Sequence, residues 1–152
     1  FLVKESGLNS GLMIAHVTMA ALASENKYLS HPAVVDSIPT STDKEDHVSM
    51  GVTSGRKLHE VIRNVKTCLA IEFLCNTQGI YLLRPLKSTT TLEKVYNVIR
   101  NHVPPIDNDR VFKTDIENIL KFTKNIKNLL DKDGIVVLET GYHPKQHGSD
   151  HN

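Results

Sequence analysis

Ser-Ile-Pro-Thr-Ser-Thr-Asp-Lys-Glu-Asp-His-Val-Ser-Met-Gly, residues 37–51, leads directly into the longest periodic segment of the chain. Acidic side chains stabilise a helix start, because the first N–H groups of a helix are unpaired and carry a partial positive charge. Thr42 followed three residues later by Glu45 fits a capping box. The stretch therefore predicts a helix that begins at about Asp43. Glu45 and Asp46 are either simple helix caps or residues of a functional site.

The predicted helix continues to about Tyr81, with a possible break near Gly79. Its apolar residues recur at steps of three and four: Val48, Val52, Gly55, Leu58, Ile62, Val65, Leu69 and Phe73. This near-heptad spacing is typical of helix bundles and coiled coils. We call these eight residues the apolar seam. Further apolar side chains predict deeper burial of the second half: Cys68, Ala70, Ile71, Leu74 and Cys75.

An earlier segment, residues 10–26, predicts a helix with almost no polar face, for which Asn9 is a plausible N-cap. A helix that is apolar all round is buried on every side. One domain of 152 residues can hardly cover it, so further segments or subunits are expected. His16 within this helix is interpreted as a hydrogen-bonded core or interface residue without a catalytic role.

The remaining sequence predicts shorter elements. These are a helix over residues 92–101 capped by Thr91, a helix over residues 114–128, a short strand or extended arm over residues 135–138, and a disordered polar tail over residues 141–152. The predicted fold class is all-α: a long-helix bundle that forms part of an oligomeric helical core, with a small irregular C-terminal tail. The helical part is expected to span residues 1–128, and the arm and tail residues 129–152.

Composition argues against binding to nucleic acid or membranes. The chain carries 18 basic and 17 acidic residues, a balance that argues against charge-driven binding to nucleic acid or membranes. No apolar run is long enough to span a bilayer. Because the sequence begins with Phe1 and not Met, we interpret it as part of a longer protein.

The sequence gives little support for metal binding or disulfides. Cys68 and Cys75 are too far apart along a helix to pair, so two buried thiols in a reducing, cytoplasmic compartment are expected. His143, His147 and His151 are spaced by four, but Pro144 and Gly148 interrupt any helix that would align them. No metal site is therefore predicted.

Several short motifs resemble the aromatic amino acid lyase family, in its order and with its spacing. They are Asn9-Ser10-Gly11-Leu12-Met13-Ile14-Ala15, Ala23-Ser24-Glu25-Asn26-Lys27, His31-Pro32-Ala33, Asp36-Ser37-Ile38-Pro39-Thr40-Ser41 and Glu45-Asp46-His47-Val48-Ser49-Met50-Gly51. Within the family, the chain resembles the C-terminal portion of the histidine ammonia-lyases. Arg84-Pro85-Leu86-Lys87 and Thr89 to Tyr96 are similar to the animal-type branch. The resemblance covers roughly residues 1–120.

The resemblance implies elimination of ammonia from L-histidine to give trans-urocanate, in a homotetramer whose sites are shared between subunits. The family's electrophile is a methylideneimidazolone formed from an internal Ala-Ser-Gly, which this chain lacks. Ala23-Ser24-Glu25 and Thr53-Ser54-Gly55 are the nearest sequences. The family's tyrosine base and carboxylate-binding arginine also lie in earlier segments. The chain is thus expected to supply only part of a site and to be inactive alone.

Glu45 is the part of the site that the resemblance assigns here, as a catalytic and substrate-binding residue. The histidine-specific branch has Glu at this position, whereas branches acting on phenylalanine and tyrosine usually have Gln. A carboxylate accepts a hydrogen bond from an imidazole, pairs with an ammonium, or takes up a proton, and an amide cannot act as a base. Asp43-Lys44 departs from the family's common Asn-Gln.

Two other functions stay open at this stage. One is an inactive family member or a helical assembly module. The other is a lyase or aminomutase acting on a different aromatic amino acid. An Ala-Ser-Gly elsewhere in the complete protein would favour an enzyme, and its absence would favour the assembly module.

Overall fold

The computed structural model of the chain describes residues 1–123. The helices are α1 (Met13–Leu29), α2 (Gly51–Leu82), α3 (Thr90–Arg100) and α4 (Lys113–Thr123), with a short 3₁₀ helix at Ala33–Val35 and two strands, β1 (Pro39–Thr40) and β2 (Glu45–Asp46). α2 is the central element and packs against α1, α3 and α4. The all-α class is confirmed. No helix within residues 1–123 is long and apolar enough to cross a membrane.

Several sequence predictions fall outside the described residues. They concern the extension of the last helix to Asn128, the domain boundary after it, the strand or arm at residues 135–138, the polar tail, and the three spaced residues His143, His147 and His151.

The predicted start of the first helix is wrong, because a distant carboxylate caps this part of the chain. Asp109 accepts hydrogen bonds from the backbone N–H groups of Ser10 and Gly11, both at 2.8 Å. Asn9 does not cap the helix, and its Oδ1 instead accepts from the N–H of Asp109 at 3.0 Å. Gly11 has a left-handed φ of 56° and a side chain there would collide with the Phe1 carbonyl. α1 therefore begins at Met13.

The capping box predicted at Thr42 and Glu45 is also wrong. α2 begins eight residues later than expected, at Gly51, and its N-cap Met50 has a left-handed φ of 59° with no side-chain cap hydrogen bond. Glu45 lies in β2 instead. The residues between, which include Val48 of the apolar seam, are not helical. At the other end α2 passes through Gly79 without the break considered possible.

α2 buries a different face from the one that the seam predicted. Ile71 and Leu74 are fully buried, in line with the expected burial of its second half. Leu69 of the seam stays 49% exposed, because residues two apart on a helix point to nearly opposite sides. Other seam residues are exposed as well: Val52, Leu58, Ile62 and Val65. α2 thus has one apolar face turned to its own chain and a second one turned outward.

The core lies where the second half of α2 meets α3, α4 and the loop between them. Its buried apolar residues are Leu12, Ala15, Ala70, Ile71, Leu74, Ile99, Val103, Ile106, Ile119 and Phe122. α3 begins two residues earlier than predicted, since Thr89 and not Thr91 caps it and accepts from the N–H of Leu92 at 3.4 Å. Near the middle of α2, buried Asn64 donates to Glu25 at 2.7 Å and to Asn26 at 3.0 Å, which ties α1 to α2.

One buried amide joins the N-terminal segment, α2, α3 and the following loop. Gln78 is 0% exposed. Its Nε2 donates to the carbonyls of Ile106 at 2.8 Å and Leu2 at 3.2 Å, and its Oε1 accepts from the N–H of Ile106 at 3.0 Å and from Arg100 at 3.1 Å. All four hydrogen-bonding positions of the amide are therefore used.

A second polar contact holds the turn between α2 and α3. The Arg84 guanidinium pairs with Glu93 through two hydrogen bonds, of 2.9 and 2.7 Å, and the N–H of Ser88 donates to the same carboxylate at 2.9 Å. Arg84 also lies over the Tyr96 ring, 4.4 Å from its centroid. The hydrogen bonds from Arg84 and then Ser88 lower the pKa of Glu93 from 4.5 to about 2.

Replacing Gln78 with leucine should destabilise the protein by about 3 kcal/mol, because the amide groups of Ile106 and the Arg100 guanidinium would lose a buried partner. Urea denaturation of the variant measures this loss. Asn76→Leu is the matched control, since Asn76 is an exposed amide two residues earlier on the same helix. It should change the free energy of unfolding by less than about 0.5 kcal/mol. Equal losses in both variants would contradict the role given to Gln78.

The Glu93 carboxylate should make the folded state sensitive to acid in a defined range. Since its pKa is lowered on folding, from 4.5 to about 2, its stabilising contribution is complete above pH 4.5 and is lost as the pH falls towards 2. Glu93→Gln should flatten this part of the stability–pH curve, measured by denaturation at several pH values. Glu117→Gln is the control, because Glu117 is exposed and pairs loosely with Lys113 at 3.9 Å. A curve unchanged by Glu93→Gln would refute the assignment.

Candidate functional site

The candidate site residue Glu45 lies on a small β-hairpin that precedes α2. Thr40 pairs with Glu45 and Pro39 with Asp46 in an antiparallel register. The N–H of His47 extends the pairing by donating to the Ile38 carbonyl at 2.8 Å. The hairpin fixes the backbone of Glu45 relative to the strand before it.

The turn of this hairpin has an unusual backbone. Ser41, Thr42 and Asp43 have φ values of 53°, 55° and 63°, three left-handed residues in succession. Residues other than glycine rarely adopt this conformation, and such strain concentrates at functional sites. The chain reverses here instead of entering a helix, which explains why the capping pattern misled the prediction.

The Glu45 side chain is exposed and makes one hydrogen bond with its own hairpin. Its Oε2 accepts from the Ser41 hydroxyl at 3.3 Å, while its carbonyl accepts from the Thr40 hydroxyl at 3.3 Å. Within residues 1–123 no ion pair joins Lys44 to Glu45, and Lys44 is exposed. A carboxylate has about four acceptor positions, so Glu45 can accept hydrogen bonds from a ligand or take up a proton.

The connector between α1 and the hairpin is attached to α2. The Lys57 ammonium donates to the carbonyl of His31. The 3₁₀ helix at Ala33–Val35 also contacts α2. A groove of about 290 Å³ lies between the two elements, lined on the α2 side by Ser54, Lys57, Leu58 and Val61. The chain before the hairpin therefore contacts α2, and the chain after the hairpin continues into α2.

The other residues singled out in the sequence lie elsewhere. His16 is exposed on α1 and lines a different groove with Cys75. Both cysteines are free and half-buried, not fully buried as expected, and burial raises the pKa of the Cys75 thiol. Ala23-Ser24-Glu25 lies inside α1, and Thr53-Ser54-Gly55 inside α2. Among residues 1–123 no group of three or more side chains is placed to hold a metal ion.

Comparison with known families agrees with this arrangement. The family described as "Aromatic amino acid lyase" matches residues 1–101, which include the hairpin and the whole of α2. The chain belongs to the aromatic amino acid lyase family.

Individual relatives of this chain include histidine ammonia-lyases from bacteria and animals. The protein of Legionella pneumophila (strain Corby) is 53% identical over 133 residues, which is 88% of this chain and 25% of the relative. That of Homo sapiens is 59% identical over 117 residues, 77% of this chain and 18% of the relative. The crystal structure of histidine ammonia-lyase from Trypanosoma cruzi is 44% identical, with a TM-score of 0.81, covering 97% of this chain and 31% of that one.

The chain thus spans about a quarter or less of the length of these curated relatives. Glu45 lies inside the matched region, on an element that the sequence analysis placed in a helix. Ser41, the hydrogen-bond donor to its carboxylate, was missed entirely. The sequence holds little indication of this contact, because a serine four residues before a glutamate is common. The left-handed turn is what brings the two side chains together.

Proposed function

We propose that the chain is part of a histidine ammonia-lyase, which removes ammonia from L-histidine to give trans-urocanate in histidine catabolism. The observation that carries the proposal is the Glu45 carboxylate, which lies on a hairpin in a chain whose bacterial and animal relatives described above bear that name. We further propose a cytoplasmic location, in keeping with two cysteines that are both free thiols.

Glu45 has the chemistry that this reaction needs near its substrate. Its carboxylate accepts a hydrogen bond from the imidazole N–H of histidine or pairs with the substrate ammonium. It also serves as a proton acceptor during the elimination. Its exposure in the single chain leaves the carboxylate accessible to a substrate.

The electrophile that the family implies does not fit the residues of this chain. The chain has no Ala-Ser-Gly, and the two nearest sequences lie inside regular helices, where the backbone is already hydrogen-bonded within α1 and α2. We propose that another part of the complete protein supplies the methylideneimidazolone and that the 152 residues alone are inactive. No metal is part of this proposal.

The outward apolar faces support a homotetramer with sites shared between subunits. In the single chain, Ile14 and Val17 of α1 are 61% and 56% exposed, and Leu58 of α2 is 58% exposed. Large exposed apolar surfaces mark interfaces, and closed symmetry is the usual way to cover them. α1 and α2 would then lie in the tetramer core, with Glu45 facing a site that a neighbouring chain completes.

Two alternatives are weaker on present observations. An inactive assembly module would use the same apolar faces but would have no need of an exposed carboxylate next to a left-handed turn. A lyase or aminomutase for another aromatic amino acid would share the fold. A carboxylate matches the imidazole N–H of histidine better than a phenyl ring, which has no donor, whereas the hydroxyl of tyrosine also donates to it. Both alternatives are separated from the main proposal by activity measurements on the complete protein.

Glu45→Gln in the complete protein should lower kcat for histidine by about a hundredfold or more, because a proton-transferring carboxylate is lost. Urocanate absorbance follows the reaction. Asp43→Asn is the matched control: it removes a carboxylate from the same hairpin, gives the residue common in the family, and should leave kcat within about twofold. Near-normal turnover by Glu45→Gln would contradict the proposal. Equal loss of turnover in Glu45→Gln and Asp43→Asn would indicate damage to the hairpin instead.

Shared sites predict complementation between two inactive variants. One variant carries Glu45→Gln, and the other carries alanine in place of the serine of the Ala-Ser-Gly. Mixed tetramers should recover a measurable fraction of the wild-type activity if the two groups of one site come from different subunits. Sedimentation confirms that mixing has occurred. Mixed tetramers that stay inactive, or a stable and active monomer at micromolar concentration, would overturn the shared-site arrangement.

A further inference from the structure

We propose that Ser41 is a positioning residue, whose hydroxyl orients the Glu45 carboxylate for the reaction. This inference deepens the proposed function and rests on it. Ser41 Oγ lies 3.3 Å from Glu45 Oε2, and it is the donor that the structure places on this carboxylate within residues 1–123.

The hairpin fixes the backbone of Glu45 but not its side chain. The main chain of Glu45 is held because Glu45 pairs with Thr40 across the hairpin and its carbonyl accepts a hydrogen bond from the Thr40 hydroxyl. A glutamate side chain still has three rotatable bonds, and in an exposed position it samples many rotamers. A donor near the carboxylate limits these rotamers to those that keep one oxygen beside the hydroxyl.

The left-handed turn is what brings the donor to the carboxylate. Ser41, with φ of 53°, is the first of the three left-handed residues and directly follows the residue paired with Glu45. Its neighbour Thr42 has nearly the same φ, 55°, but its hydroxyl donates to the Ser41 carbonyl at 2.6 Å and not to Glu45. The turn therefore contains two hydroxyls in similar backbone conformations, of which one contacts the carboxylate.

The hydrogen bond is suited to orientation more than to tight binding. A separation of 3.3 Å is long for a hydroxyl and a carboxylate, so Glu45 keeps its remaining acceptor positions for a substrate. In an exposed hairpin water competes with such a bond, but a site closed by substrate and neighbouring segments excludes water and strengthens it. Small errors in the placement of a reacting group cost up to about a hundredfold in rate.

The test is a double-mutant cycle in the complete protein with histidine as substrate. Ser41→Ala should lower kcat about tenfold and change KM less than twofold, because orientation and not binding is lost. In the Glu45→Gln background the same substitution should have less than a twofold effect, since the carboxylate on which it acts is gone. A purely structural role would give the same loss in both backgrounds.

Three further variants make the result decisive. Thr42→Ala, the matched hydroxyl deletion in the same turn, should stay within about twofold of wild type. Ser41→Asn keeps a donor, tolerates a left-handed backbone, and should recover part of the lost kcat. Ser41→Gly removes the hydroxyl while relaxing the backbone, and should lose as much kcat as Ser41→Ala.

The outcomes separate the positioning role from the proposed function. Full activity of Ser41→Ala, or equal losses with and without Glu45, overturns the positioning role while leaving the proposed function intact, provided that Glu45→Gln shows the expected loss of about a hundredfold in kcat. Full activity of Glu45→Gln overturns both. Thermal unfolding of every variant, expected to be unchanged, separates these results from a loss of folded protein.

Discussion

The buried amide of Gln78 is the contact on which the rest of the described structure depends. It lies on α2, yet its partners belong to the N-terminal segment, to α3 and to the loop that follows α3. The Gln78 amide satisfies both the N–H and the C=O of Ile106 at this point of the core. Because an unpaired buried amide is costly, the loop must return to this one position on α2. The loop in turn carries Asp109, whose carboxylate caps the segment before α1.

These contacts between distant residues explain which predictions from the sequence were wrong. Apolar spacing correctly predicted four helices and the deeper burial of residues around Ile71. The start of α1 could not be predicted from nearby residues, because Asp109, about a hundred residues away, accepts hydrogen bonds from Ser10 and Gly11 in the turn before the helix. Gln78 gave no signal either: among the apolar residues of its helix it resembles any surface glutamine, and its burial depends on a loop that the sequence does not place.

The start of α2 failed for a different reason. Thr42 and Glu45 have the right residue types and spacing for a capping box, and local rules favoured it. Instead, the chain reverses at three successive left-handed residues, and Met50 is left-handed as well. None of these four residues is a glycine, which would have predicted a turn. Family resemblance suggested Glu45 as a candidate site residue, and its role stays a prediction. Only the structure shows that Glu45 lies on a hairpin and that Ser41 donates to its carboxylate. Sequence could therefore name a candidate residue but could not give the conformation that holds it.

The difference between a cap and a hairpin matters for the chemistry. A capping glutamate uses its oxygens on backbone N–H groups of the first helical turn, and these bonds compete with any substrate. On the hairpin, the main chain of Glu45 pairs with Thr40 of the neighbouring strand, and within residues 1–123 the carboxylate receives the long bond from Ser41. The same residue is therefore held by its main chain, while its side chain keeps free acceptor positions. That combination suits the role proposed for Glu45.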